Sequence, residues 1–182
     1  MNFLPTAIPD VVLIEPRVFP DDRGSFMETW QLQKFADAGI GASFVQANHS
    51  VSKQWVLRGL HYQIEQPQGK LVRALIGEVF DVAVDIRRSS PTYGRFVCEI
   101  LSAQNRRMLW VPPGFAHGFL VTSERAEVSY YCTDYYAPQF ERGLFWNDSS
   151  LNIPWPLASG AHPVLNDKDA KAPGIMAIES FP

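Results

Sequence analysis

The sequence is sparing with cysteine, offers no long apolar run and carries little net charge, and each shortage removes a class of protein. Only Cys98 and Cys132 occur in 182 residues. Their spacing matches no metal motif, so both read as reduced thiols behaving as small buried hydrophobes. No apolar stretch approaches the roughly 18 residues that a membrane-crossing helix needs. The opening "MNFLPTAIPD" is too short and too broken by proline to read as a leader, so a cytoplasmic protein is expected. A formal net charge of −3 gives no global attraction to nucleic acid, and any cations that matter must be concentrated locally. Internal repeats and low-complexity linkers are missing too, which leaves one domain over residues 1–182.

What is present is aromatic and heavily punctuated. Rings make up 13% of the chain, and 12 Gly and 14 Pro interrupt it. Many rings favour sheet-rich structure, ligand-stacking surfaces or a sizeable subunit interface. Between the breaks lie ten strand-like stretches: "VVLIEPRVF", "SFMETW", "FVQANHS", "VLRGLHYQ", "KLVRALIG", "EVFDVAVDIR", "RFVCEIL", "RMLWVP", "HGFLVTS" and "AEVSYYCTDYY". In "EVFDVAVDIR" the alternation sends Phe80, Val82, Val84 and Ile86 one way and Asp81, Asp85 and Arg87 the other. Only "QLQKFADAG" reads as a helix, with Gly39 as its stop and Leu32 and Phe35 giving one turn against a sheet. Short strands joined by tight turns predict an all-β protein, a jelly roll able to enclose a cavity between two sheets. From about residue 158 the alternation is lost, and this tail is expected to pack as loop and short helix over the barrel or its mouth.

"LRGLHYQ" places Arg58 and His61 in a run where a core would take valines, and Lys70 follows. Cupin-type metal sites use two histidines one residue apart with a glutamate a few residues on. Here the partner of His61 is Gln63, Glu65 comes too early, and amides are poor ligands beside imidazole. No metal is therefore expected. His61 and Gln63 share a face with Gly59, while Arg58 has the opposite parity. For Arg58 and His61 to share a cavity the strand needs a bulge, and Gly59 is where it would sit; otherwise Arg58 is an exposed edge residue. Gln46 and Asn48 lie two apart, on one face, and suit a pyrimidine edge, sugar hydroxyls or plain solvent. "DDRGSFMETW" supplies Arg23 and Glu28 beside what is otherwise a turn. Tyr130 and Tyr131 point to opposite faces, so one at most enters a given cavity. In "LNDKD" a carboxylate could orient an imidazole if the tail folds back.

Eight of these segments, in order from about residue 8 to 170, resemble the dTDP-4-dehydrorhamnose 3,5-epimerases, dimeric jelly rolls of nucleotide-sugar metabolism. The matching words are "DDRGSFME", "FVQANHS", "VLRGLHYQ", "QGKLVRALIGEVFDVAVDIRRSSPTYG", "LWVPPGFAHGF", "AEVSYYCTDYYAP", "LFWNDSSLNIPWP" and "LNDKD". The chain departs from the family pattern in a loop between Gln63 and Lys70 that is about one residue shorter than in many members, and in Tyr131, where a lysine or other polar residue is usual.

The resemblance implies a homodimer with no cofactor and no metal, acting on a dTDP-sugar. It implies His61 as base with Asp169 as its partner, Tyr130 as acid and Lys70 as enolate stabiliser. It also implies that Arg23, Glu28, Gln46, Asn48, Arg58, His117, Glu141 and Lys168 bind the nucleotide-sugar. The implied reaction is 3,5-epimerisation of dTDP-4-dehydro-6-deoxy-D-glucose through an enolate. Two rivals use the same scaffold: a single-centre epimerase or ketoisomerase of another deoxysugar, and a non-catalytic nucleotide-sugar-binding cupin.

Overall fold

Proline and glycine cut the chain into short strands, and the computed structural model, which describes residues 1–158 and 160–182, pairs these into antiparallel sheets. Strands β1 (Asn2–Pro5), β2 (Val12–Glu15), β10 (Met108–Val111), β7 (Lys70–Ile76), β12 (Arg125–Cys132) and β5 (Gln46–Lys53) lie side by side in that order. A second sheet runs β13 (Glu141–Gly143), β6 (Leu57–Gln63), β11 (Phe115–Val121), β8 (Glu78–Asp85) and β9 (Phe96–Ser102). A separate hairpin joins β3 (Val18–Asp21) to β4 (Gly24–Met27).

Alternation decides what each face covers. Val72, Leu109 and Val128 of the first sheet meet Val79, Phe115 and Phe119 of the second, forming the core of the sandwich. The far side of the second sheet presents Leu60, Tyr62, Val82, Val84 and Ile86, and the C-terminal tail covers it with Leu151, Ile153, Ile175 and Ile178. The far side of the first sheet takes helix α1 (Leu32–Asp37) through Phe35, against Ile14, Leu71 and Trp110. The expected jelly-roll sandwich is therefore what forms. Ser159, within that tail, lies outside the described residues.

Several boundaries differ from expectation, for physical reasons. "VVLIEPRVF" is two strands, because Pro16 lacks the N–H needed to continue a ladder. β1 and β13, at four and three residues, are too short to show a period in sequence. Leu32 does not pack against the sheet; it is 55% exposed, and Phe35 alone anchors the helix. Gly39 follows the C-cap at φ +83°, the left-handed stop expected of it.

In β8 the alternation holds, yet both faces are buried, Asp81 and Asp85 included. Asp85 is satisfied by Arg87 Nε at 2.9 Å, Arg87 Nη2 at 2.8 Å, and the hydroxyls of Ser90 and Thr92 at 2.6 Å each. Burial alone would raise its pKa, but these donors hold it down at about 2. A carboxyl depressed by folding adds stability above its ordinary value and loses it as pH falls through the folded value. Asp85→Asn is expected to cost about 3 kcal/mol at pH 7, measured by urea unfolding. The gap from the parent should shrink as pH falls from about 4 towards about 2.

Candidate active site

The site begins with a break in pairing. Along β6 and β11, His61 sits opposite His117 and Arg58 opposite Phe119, so three steps on β6 are matched by two on β11. The extra residue is a bulge at Gly59, whose φ is +121°. A Cβ there would lie 2.6 Å from Gly118 Cα and 2.8 Å from the His117 carbonyl oxygen. Because of the bulge, Leu57 and Leu60 both face outward while Arg58 and His61 both face the space between the sheets. The parity conflict of Arg58 is resolved at the residue where sequence placed it.

The tail completes this wall. Val164 bridges to Val56, its N–H donating to the Trp55 carbonyl and its carbonyl accepting from Leu57 N–H. Asn166 caps helix α2 (Asp167–Ala170) by accepting from Asp169 N–H at 2.7 Å. That turn aims Asp169, 2% exposed, at the strand. Its Oδ1 lies 2.6 Å from His61 Nε2, and its Oδ2 accepts the Gly59 N–H at 3.1 Å. Burial pushes the Asp169 carboxyl up, but the His61 hydrogen bond and charge, the Gly59 N–H and Lys168 hold it below its ordinary value. An ionised Asp169 fixes the proton on His61 Nε2 and leaves Nδ1 as the basic nitrogen for the cleft.

The opposite wall belongs to the first sheet. Tyr130 on β12 and Lys70 on β7 face His61 across a cleft with two lobes of about 380 and about 180 Å³, both lined by these three residues. Burial, then Cys132, raises the Tyr130 phenol, with Glu141 adding to this while the Asn48 amide and Arg58 pull the other way; the hydroxyl keeps its proton. Lys70 is 9% exposed. Burial pulls its ammonium pKa down, and Cys132, Glu141 and Asp81 oppose that shift. Tyr131 points away and packs on Phe44, with ring centroids 5.8 Å apart.

The larger lobe also takes Gln46 and Asn48, linked Gln46 Nε2 to Asn48 Oδ1 at 3.0 Å, and Glu141. Glu141 accepts from Lys168 Nζ at 2.7 Å and from the Tyr136 hydroxyl at 2.8 Å. Burial would raise its pKa, but those two partners hold it low. Gln63 is structural: its amide bonds the carbonyls of Gln66 and Tyr135 and accepts from Ala137 N–H. The smaller lobe takes Arg58, whose Nε donates to Ser52 Oγ at 3.0 Å, and His117.

Two expected residues do not reach the cleft of their own chain. Arg23 sits at the tip of the β3–β4 hairpin, its side chain 90% exposed, paired with Asp21. Glu28 pairs with Lys34 near α1 at 2.7 Å. Sequence reasoning missed Asp81, whose carboxylate lies 2.9 and 3.0 Å from His117 Nε2. The available signal was its parity with Val79 and Ala83, which places a carboxylate on the inward face. Among the described residues no three His, Cys, Asp or Glu side chains converge as a metal cluster.

A family model described as dTDP-4-dehydrorhamnose 3,5-epimerase matches residues 5–176. The enzyme of that name from Pseudomonas aeruginosa is 57% identical over 97% of both chains. The crystal structure of a Legionella pneumophila dTDP-6-deoxy-D-glucose-3,5-epimerase, in complex with dTDP-4-keto-L-rhamnose, superposes at TM-score 0.94. It shows 49% identity and covers 98% of this chain and 94% of that one. This chain belongs to the dTDP-4-dehydrorhamnose 3,5-epimerase family. It is accordingly an isomerase. A 3'-monoepimerase from Streptomyces bikiniensis, in complex with dTDP-quinovose, shares the fold at TM-score 0.87 and 32% identity, covering 94% of this chain and 87% of that one.

An imidazole backed by a carboxylate on one wall, and a protonated phenol on the other, can take a proton from one face of a planar intermediate and return one to its opposite face. That arrangement hangs on the bulge. Gly59→Ala is expected to cost more than about 2 kcal/mol of stability through strain and overpacking. Among molecules that still fold, it should lower turnover at least about tenfold by misplacing His61. Thermal unfolding and a steady-state assay check the two effects separately.

Proposed function

We propose that the protein epimerises dTDP-4-dehydro-6-deoxy-D-glucose at C3 and C5, without a cofactor, giving dTDP-4-dehydro-L-rhamnose. The observation that carries this reading is the placement of the His61–Asp169 pair and Tyr130 on opposite walls, with Lys70 buried beside Tyr130 on the second of them. The C4 ketone acidifies the hydrogens on C3 and C5. His61 Nδ1 removes one, Asp169 stabilises the imidazolium that results, and the enolate charge gathers on the C4 oxygen. Lys70, itself nearly buried, meets that charge as a preset and largely desolvated cation, which strengthens the electrostatic stabilisation it gives. Tyr130 then returns a proton to the opposite face, which inverts the centre.

In this reading Arg58, in the smaller lobe, holds the diphosphate by charge and forked geometry, with His117 beside it. Gln46, Asn48, Glu141 and Lys168 orient the nucleoside and sugar hydroxyls. Arg23 and Glu28 stand outside the cleft of their own chain, so their contribution to binding requires a second copy. A symmetric homodimer is the commonest way to provide one, and the exposed Phe19 and Phe26 on the same hairpin suit a subunit interface.

Incubation with the 4-ketosugar in D2O is expected to label both C3 and C5. His61→Ala should abolish labelling at both, by at least about 10²-fold. Tyr130→Phe should slow product formation more than the first exchange. Retained exchange in His61→Ala removes that residue as base, and label confined to C3 makes the chain a single-centre epimerase like its Streptomyces bikiniensis neighbour. Binding of dTDP with no exchange at all identifies a non-catalytic cupin. For the dimer, Arg23→Ala and His61→Ala chains, each inactive alone, should regain activity when refolded together, because mixed dimers contain one intact site. No recovery argues that Arg23 acts within its own chain or not at all.

A further inference from the structure

Asp81 is a carboxylate in the middle of β8, flanked inward by Val79 and Ala83, with no exposed surface. An ion in such a place costs several kcal/mol unless it is paired and hydrogen-bonded. Both of its oxygens are spent on one atom, His117 Nε2, at 2.9 and 3.0 Å. We propose that Asp81 is a positioning residue of the epimerase: it locks His117 with Nε2–H inward and Nδ1 to the cleft. This rests on the epimerase reading above.

The lock follows from hydrogen-bond roles. A carboxylate only accepts, so the imidazole nitrogen facing it must carry the proton. The ring cannot rotate without abandoning a buried charge. Nδ1 is then the atom His117 offers to the smaller lobe, beside Arg58 and Lys70.

Asp81→Asn keeps the shape and removes the charge. The expected result is that ¹⁵N-histidine spectra lose the single Nε2–H form of His117, because an amide can donate as well as accept, and that dTDP binding weakens about tenfold or more. Asp81→Glu, which keeps an accepting carboxylate, should restore the Nε2–H form. An unchanged His117 tautomer in Asp81→Asn overturns the proposal even if binding weakens, because a purely structural defect does not choose between the ring nitrogens. Absence of C3 and C5 exchange in the unaltered protein would instead sink the epimerase reading itself. Should Asp81→Asn fail to fold, ¹⁵N-histidine spectra of the unaltered protein still decide: a proton on His117 Nε2 is expected, and a bare Nε2 overturns the proposal.

Discussion

The hydrogen bond between His61 and Asp169 ties together parts of the chain more than a hundred residues apart, and much of the site is built so that it can form. His61 faces inward with Arg58 only because Gly59 adds a residue to its strand. Asp169 arrives only because the tail pairs with Trp55 and Leu57 and then turns through a capped helix. The bulge serves both ends, since the same Gly59 offers its N–H to Asp169 Oδ2. A local irregularity in a strand thus supplies the orientation of His61 and part of the stabilisation of the Asp169 carboxylate.

The second constraint is charge in a partly enclosed cleft. The space between the sheets holds Arg58, Lys70, His61, His117, Asp169 and Glu141 among amide and aromatic side chains, with Asp81 buried behind His117. Isolated ions are costly there, and a lone pair of opposite charges recovers only part of that cost. Distribution is what makes the set tolerable. Each histidine has its own carboxylate, Glu141 has Lys168, and Lys70 is left without a close salt-bridge partner among the described residues. A cation held in this way interacts most strongly with charge that develops during a reaction. Burial raises Tyr130 for the same reason that it lowers Lys70, because it disfavours whichever form is charged. One environment thus keeps an acid protonated on the wall that also carries the cation.

Much of the layout was legible in the chain. Gly and Pro marked the strand ends, alternation in 78–87 assigned its two faces correctly, and the opposite parity of Tyr130 and Tyr131 sent one to the cleft and one outward. The conflict in parity between Arg58 and His61 even located the bulge, since only glycine tolerates that backbone and that approach to Gly118. Short strands such as Glu141–Gly143 escaped because three residues carry no period. Asp81 escaped for a different reason: sequence says that a side chain faces inward, but not that a histidine two strands' widths of chain away will be its neighbour. Arg23 and Glu28 were legible as residue types, while their distance from the cleft depends on where an isolated hairpin stands.

The sequence by itself determined the fold class, the inward and outward face of each long strand, and the presence of imidazole, phenol and ammonium side chains in or beside the strands, because periodicity and backbone permissiveness are local properties. Which carboxylate meets which imidazole was decided only in three dimensions. His61 with Asp169, and His117 with Asp81, are contacts across 108 and 36 residues, and their geometry follows from how two sheets and a folded-back tail pack, which no local pattern encodes.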